Sequence, residues 1–146
     1  MSNFNEKVGI SVNSALLFGL VNLPQAYNLT NSFSNLKLFN STTRCPTNTG
    51  IIVHTLIFFI ITFLSMNKSK LNNSIKLKHS IYGTLIFYLI SSPAVFSIVG
   101  SFFGKQYANS DGCPTLLGIM LHALVYSVIL VAVMHLPDRN KQEIDN

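Results

Sequence analysis

The chain has 146 residues, of which 49% are hydrophobic and only 10% are charged, and its formal net charge at pH 7 is +5. Soluble domains carry about 25% charged residues, so this composition excludes an ordinary soluble domain and is typical of an integral membrane protein. The Lys and Arg residues lie between the apolar segments and not on one folded face, which argues against a nucleic-acid partner.

The first apolar segment is predicted to cross the membrane from about Val8 to Tyr27. It reaches the roughly 20 residues that a span requires only by including Asn and Gln side chains, which should face other helices, where amides can form hydrogen bonds. Pro24 lacks the N–H that would continue the helix ladder, so we expect a kink there. Residues 28–49 are rich in Asn, Ser and Thr and are predicted to form a connection outside the bilayer.

The second predicted span, Ile51–Met66, contains no charged residue. Thr47 or Asn48 is predicted to cap its amino end, with Gly50 in the first turn. The segment that follows, Asn67–His79, carries four lysines and no acidic residue. By the positive-inside rule, this basic loop is predicted to lie on the cytoplasmic side of the membrane.

The third predicted span, Ser80–Phe103, contains Pro93, which predicts a second kink. The fourth span covers Cys113–Leu136, and Asp138–Asn146 is a charged tail. Four spans place both chain termini on the cytoplasmic side and the two cysteines on the opposite side. The sequence therefore predicts a multi-pass integral membrane protein.

An internal repeat relates the two parts of the chain. The segment Cys45–Met66 occurs a second time as Cys113–Met134, with nine identities in 22 positions at an offset of 68 residues. The identities include Cys, Pro, Thr, Gly and His, so shared hydrophobicity does not explain them. A second set of identities, at an offset of 69, lies upstream and includes Pro24 and Pro93. Self-similarity of this kind indicates a duplicated structural unit.

We predict an all-α integral membrane protein whose four transmembrane helices come from a tandem two-helix repeat. Residues 1–66 form the first repeat, 67–79 the basic loop, 80–137 the second repeat and 138–146 the tail. Because each repeat contains two spans, both repeats enter the membrane in the same direction. This arrangement predicts a pseudo-twofold axis along the membrane normal, as in other membrane proteins with parallel repeats.

The two cysteines are candidates for a disulfide bond. Cys45 and Cys113 occupy equivalent positions in the repeat, on the predicted non-cytoplasmic side. In an oxidising compartment, a bond between them would link the two repeats. The alternative is a pair of half-buried thiols that never meet, or whose pairing is prevented by a reducing compartment.

Each repeat also carries a glycine and a histidine at helical spacing. Gly50 and His54, like Gly118 and His122, are four residues apart and share one helix face, and the glycines are predicted to let a neighbouring backbone approach. Three interpretations of the histidines are open. They bind a haem iron or a metal ion as a pair, they line a proton path, or they are neutral and hydrogen-bonded within the bundle, which is the interpretation that we favour.

The sequence does not contain a set of residues typical of an enzyme. Asp111 is the only acidic residue between Lys7 and Asp138, so paired carboxylates for general acid–base catalysis are missing. There is no Gly-x-Ser-x-Gly nucleophile motif, no CxxC pair and no Gly-rich phosphate loop. We therefore predict a non-enzymatic protein without a cofactor, apart from the haem or metal alternative above.

Several short segments resemble a family of small four-span membrane proteins encoded by nucleocytoplasmic large DNA viruses of the giant-virus and algal-virus kind. The segments are Leu23–Tyr27, Gly112–Gly118, Leu121–Tyr126 and Met134–Pro137. The similarity covers nearly the whole chain, and the Cys-Pro-Thr-x-x-Gly motif is its most distinctive part. Arg44 stands where the second copy has Gly112, so a tight turn before the cysteine is not expected in both copies.

The resemblance implies a virus-encoded integral membrane protein, located in the internal membrane of the virion or in the host endoplasmic reticulum. It implies no catalytic residues for this chain. We therefore expect a non-enzymatic structural component of a viral or virus-modified membrane, whose partners are the lipid bilayer, further copies of itself or capsid proteins. The alternatives are a haem- or metal-binding membrane protein that uses His54 and His122 and a small channel or proton path.

Overall fold

A computed structural model describes residues 4–66, 72–109 and 111–135. These residues form six helices and one short antiparallel pair of strands. In chain order, the elements are α1 (Phe4–Asn22), α2 (Pro24–Phe33), β1 (Phe39–Asn40), β2 (Cys45–Pro46), α3 (Asn48–Ser65), α4 (Asn73–Ile90), α5 (Pro93–Phe103) and α6 (Leu116–Met134). We refer to residues 4–66 as the first half and to the described residues from 72 to 135 as the second half.

The helices have the length and composition of membrane spans. Both α3 and α6 are long and apolar enough to cross a bilayer on their own. The pairs α1–α2 and α4–α5 bend by 61° and 57°, and each pair meets the same test when it is taken as one broken segment. By length and composition, the described part of the chain therefore has two to four candidate spans, which is the pattern of a helical membrane protein.

Both bends lie at a proline, as the sequence predicts. Pro24 and Pro93 each stand at the start of a helix, and the residue before each of them, Leu23 or Ser92, has extended backbone angles. Proline disfavours helical angles in the preceding residue and has no N–H to offer the preceding turn. The predicted kinks are therefore complete breaks, each of which separates two helices.

The first polar connection begins later than predicted. We expected it to start at Asn28, but α2 continues to Phe33. This polar helix has one face against the protein, where Tyr27 is buried, while Asn28 and Leu29 are exposed. Packing of that face outweighs the weak helix propensity of its Asn, Ser and Thr residues.

The basic loop is also shorter than predicted, because α4 begins at Asn73. Lys76 and Lys78 therefore lie in a helix, while residues 67–71 and the predicted tail Asp138–Asn146 lie outside the described residues. Lys76 is only 7% exposed. A lysine is compatible with such a position because its aliphatic stem can pack on apolar neighbours while the ammonium group reaches a polar one.

The long helices pack across the two halves. The most extensive contacts are those of α1 with α6 and of α3 with α4. Buried aromatic rings, one from each of these helices, meet at the centre: Phe18, Phe58, Phe87 and Tyr126. The ring centroids of Phe58 and Phe87 are 4.3 Å apart, and those of Phe18 and Tyr126 are 5.0 Å apart. Such pairs contribute about 0.5–1.5 kcal/mol beyond the area they bury, so this aromatic cluster holds the four helices together.

The outward faces of the same helices are apolar. Between 56% and 64% of the side-chain surface is exposed at one leucine in each of them: Leu16, Leu56, Leu85 and Leu124. Soluble monomers rarely expose large contiguous apolar surfaces, whereas a bilayer covers them. The distribution of side chains around the bundle therefore agrees with a lipid environment.

Lysines gather at the end of the bundle where α3 and α6 finish. The Nζ of Lys7 donates a hydrogen bond of 2.9 Å to the carbonyl of Met134, the last residue of α6. Lys76 is near the same end, because the hydroxyl of Ser80 lies 3.8 Å from the sulfur of Met66, just after α3. A cation at a helix carboxyl end is favoured by the helix dipole and by the free carbonyls there.

We predict that Phe58→Ala lowers the free energy of unfolding by about 3 kcal/mol, since it removes a fully buried ring and leaves a cavity. Leu56→Ala, on the outward face of the same helix, is the matched control and should change the free energy by less than about 1 kcal/mol. Denaturant unfolding in detergent micelles, followed by circular dichroism, measures both values. Equal losses in the two variants would contradict the central position of the aromatic cluster.

Candidate functional site

The two cysteines are bonded to each other. A disulfide joins Cys45 and Cys113, whose Cα atoms are 5.0 Å apart. Cys45 lies in β2, just before α3, and Cys113 lies just before α6. The bond therefore connects the amino ends of α3 and α6, and with them the two halves.

The residues before the cysteines share a backbone conformation that the sequence did not lead us to expect. Arg44 has a φ of 56° and Gly112 has a φ of 73°, so both lie in the left-handed region that favours glycine. The tight turn is thus present in both halves, although only one half has glycine. A side chain at position 112 would also clash with the backbone, because a Cβ there would lie 2.6 Å from the carbonyl oxygen of Pro93.

Two threonines cap the spans that follow the cysteines. The hydroxyl of Thr47 accepts a hydrogen bond of 3.0 Å from the amide of Gly50, and the hydroxyl of Thr115 accepts one of 3.1 Å from the amide of Gly118. Each hydroxyl also donates to a backbone carbonyl of the preceding connection. Thr47 is one of the two residues predicted to cap α3. Because Thr115 caps α6, that helix begins at Leu116 and not at Cys113, where the predicted span begins.

The glycines of the repeat allow a backbone to come very close. A Cβ on Gly50 would overlap the carbonyl oxygen of Leu38, and a Cβ on Gly118 would overlap that of Tyr107. These carbonyls belong to the connections that lead into α3 and α6. The close approach expected from the sequence therefore occurs, but the approaching backbone is the preceding connection and not another helix.

His54 is enclosed at the bend between α1 and α2. Its Nδ1–H donates to the carbonyl oxygen of Val21 over 2.8 Å, and its Nε2 lies 2.8 Å from the hydroxyl oxygen of Thr30. The imidazole stacks on the ring of Tyr27, with centroids 3.7 Å apart and an angle of 9° between the planes. Both ring nitrogens are used, and the side chain is only 1% exposed.

The Val21 carbonyl needs this partner because of the break at Pro24. In a continuous helix it would accept the amide four residues later, but the chain turns away by 61° before that point. A buried carbonyl without a donor costs about 1–3 kcal/mol. His54 therefore replaces a helical hydrogen bond that the proline break removes.

His122 occupies the equivalent position at the bend between α4 and α5. Its Nδ1–H donates to the carbonyl oxygen of Ile90 over 3.1 Å, and its ring stacks on Phe96 with centroids 3.8 Å apart. Its Nε2, however, is buried without a hydrogen-bond partner among the described residues. At an offset of 69, the position of Thr30 corresponds to Val99, which has no hydroxyl to offer.

The two imidazoles thus serve separate bends. His54 uses both of its ring nitrogens within the first half, and His122 bonds to the backbone of the second half. A ligand shared by the two rings would require His54 to give up the hydroxyl of Thr30. Within residues 4–66, 72–109 and 111–135, no three His, Cys, Asp or Glu side chains form a group that could hold a metal ion.

Sequence reasoning missed the residues that complete the histidine sites. Tyr27 and Phe96 provide the stacked rings, and Thr30 provides the hydroxyl. These positions are not identical in the two copies, so a search for identities passes over them. The signal that finds them is the alignment at an offset of 69, which pairs Tyr27 with Phe96 and Thr30 with Val99.

Comparison of the chain with protein-family models, with curated proteins and with solved structures finds no match.

We predict that Gly50→Ala lowers the free energy of unfolding by about 1–3 kcal/mol, because the added methyl group overlaps the carbonyl oxygen of Leu38 and forces the backbone to shift. Gly19→Ala is the matched control. No atom lies within 4 Å of a Cβ added at Gly19 in α1, so this change should be neutral or stabilising by up to about 1 kcal/mol. Thermal unfolding in micelles compares the two, and similar stabilities would contradict the close contact at Gly50.

Proposed function

We propose that the protein is a non-enzymatic integral membrane protein, a compact scaffold that serves the structure of a viral or virus-modified membrane. The observation that carries this proposal is the use made of the buried polar side chains. Those of Asn22, His54, Thr62 and His122 bond to the chain's own backbone. Side chains engaged in this way hold the fold together.

The scaffold has four spans, which are α1–α2, α3, α4–α5 and α6. They form two equivalent units about a pseudo-twofold axis along the membrane normal. This proposal is supported by contacts that occur twice, namely the threonine caps, the glycine contacts, the histidine–carbonyl bonds and the ring stacks. It is also supported by the packing of α1 on α6, which corresponds to that of α4 on α3.

The lysine-bearing end of the bundle faces the cytoplasm, together with both chain termini. The position of Lys7 and Lys76 at this end supports the orientation through the positive-inside rule. The disulfide Cys45–Cys113 then faces the opposite compartment, which has to be oxidising for the bond to form.

The helices α2 and α5 contact the surrounding lipid. Their outer faces carry apolar side chains that are between 55% and 86% exposed: Leu29, Phe33, Ile98 and Phe102. Bent segments with exposed aromatic residues are suited to the boundary between headgroups and acyl chains. The sequence resemblance to viral membrane proteins is the basis for proposing a viral membrane, with capsid proteins as partners.

A cut between the halves tests the orientation and the disulfide together. We predict that replacing residues 67–71 with a specific protease site, in sealed vesicles of known orientation, allows cleavage only from the cytoplasmic side. The two fragments should stay joined in non-reducing electrophoresis and separate on reduction. In the control Cys113→Ser they should separate without reductant. Cleavage from the other side would contradict the orientation, and separation of the unsubstituted halves without reductant would contradict the disulfide.

An absorption spectrum tests the non-enzymatic, cofactor-free role against the haem alternative. We predict that the detergent-purified protein shows only the absorption of its aromatic residues, because His54 already uses both ring nitrogens in the fold. A Soret band that disappears in His122→Ala would overturn this proposal in favour of haem binding.

A further inference from the structure

The second half contains a cavity beside the histidine whose Nε2 has no partner. The cavity has a volume of about 140 Å³, and its walls include the side chains of Ile90, Val99, Phe103, Leu121, His122 and Val125. The surface that the cavity exposes is entirely hydrocarbon, because the Nε2 of His122 is covered by neighbouring atoms. A protein cavity of about 150 Å³ with similar walls accommodates benzene, so this one has room for about one six-membered ring.

His122 departs from the pattern that the first half displays. In the first half, the hydroxyl of Thr30 lies 2.8 Å from the Nε2 of His54. In the second half, Val99 has a methyl group where threonine has its hydroxyl, and the Nε2 of His122 is buried without a partner among the described residues. A buried acceptor without a donor lowers stability, and native proteins seldom contain one without a reason.

The geometry of the ring defines the group that is missing. The Nδ1 of His122 faces the carbonyl oxygen of Ile90, so Nδ1 has to carry the proton, and Nε2 of the neutral ring has to be an acceptor. The partner is therefore a hydrogen-bond donor. The hydrocarbon walls exclude a charged group, which leaves an uncharged donor such as a hydroxyl.

The location of the cavity indicates how a ligand reaches it. His122 lies about two turns, or about 10 Å, along α6 from its capping threonine. At the cavity, Val125 is 43% exposed and Phe103 is 63% exposed on the outer face of the bundle. A molecule dissolved in the bilayer therefore meets this face directly.

We propose that this cavity binds a hydroxyl-bearing ring molecule dissolved in the bilayer, with the chemistry of a phenol, whose O–H donates to the Nε2 of His122. Neighbouring atoms cover Nε2 in this structure, so a side chain beside it has to move before the hydroxyl can reach the nitrogen. The site of His54 does not bind such a molecule, because Thr30 already supplies the hydroxyl. This proposal does not depend on the scaffold role, since a scaffold with or without the ligand has the same fold.

The experiment compares phenol with toluene, which has the same shape but carries a methyl group in place of the hydroxyl. The full-length protein, labelled with ¹⁵N in its histidines, is placed in lipid nanodiscs, and the resonance of the His122 Nε2 is followed during titration. We expect phenol to shift this resonance in a saturable manner and to bind about tenfold more tightly than toluene, which corresponds to one hydrogen bond of about 1.4 kcal/mol.

Two variants exchange the residues that occupy equivalent positions beside the two histidines. Val99→Thr gives His122 an internal hydroxyl, as His54 has, and should abolish the preference for phenol over toluene while leaving the fold intact. Thr30→Val, the matched control, alters only the first half and should leave the response of His122 unchanged. Circular dichroism checks the fold of both variants.

The comparison of the two ligands in the unsubstituted protein needs no variant and tests the proposal by itself. Equal affinities for phenol and toluene, or no shift of the His122 resonance at saturating phenol, would overturn it. A preference for phenol that persists in a folded Val99→Thr variant would overturn it as well, since the hydroxyl would then bind somewhere other than at Nε2.

Discussion

The hydrogen bond from a histidine to the carbonyl at a proline break is the interaction on which the rest of the structure depends. Within a bilayer no water can satisfy a broken helix, so each freed carbonyl needs a partner from the protein. Pro24 and Pro93 create the breaks, and His54 in α3 and His122 in α6 supply the missing donors. The proline that interrupts a helix thus becomes the point at which that helix is joined to another one.

The other repeated features follow from this junction. The bend sends α2 or α5 out of line with the preceding helix, and the chain then has to return to the start of the next span. The backbone of this returning segment contacts a glycine, Gly50 or Gly118, which lies one helical turn before the histidine. A threonine cap fixes that first turn, and the disulfide holds the two starting points together. Cap, glycine and histidine therefore belong to one structural unit of about two helical turns.

The two halves use this unit differently. In the first half the hydroxyl oxygen of Thr30 lies 2.8 Å from the Nε2 of His54, so both ring nitrogens have a partner within the fold. In the second half Val99 leaves the same nitrogen without a donor and next to a cavity. Because threonine and valine have nearly the same shape, the change removes a hydrogen bond without disturbing the packing. One half can therefore hold the structure while the other offers the ligand site that we propose.

The sequence by itself determined the features that depend on neighbouring residues in the chain. Proline chemistry places the breaks, one of the two predicted residues, Thr47, caps α3, and two charge-free segments form α3 and α6, which are long and apolar enough to cross a membrane. Only the tertiary structure decided what the histidines touch, because their partners come from a different helix whose direction is set by packing around the aromatic cluster. The shared turn at Arg44, the start of α4 before Lys76 and the unpaired nitrogen of His122 were likewise decided in three dimensions. The surroundings of His122 depend on contacts between segments far apart in the chain, which residue-by-residue preferences do not contain.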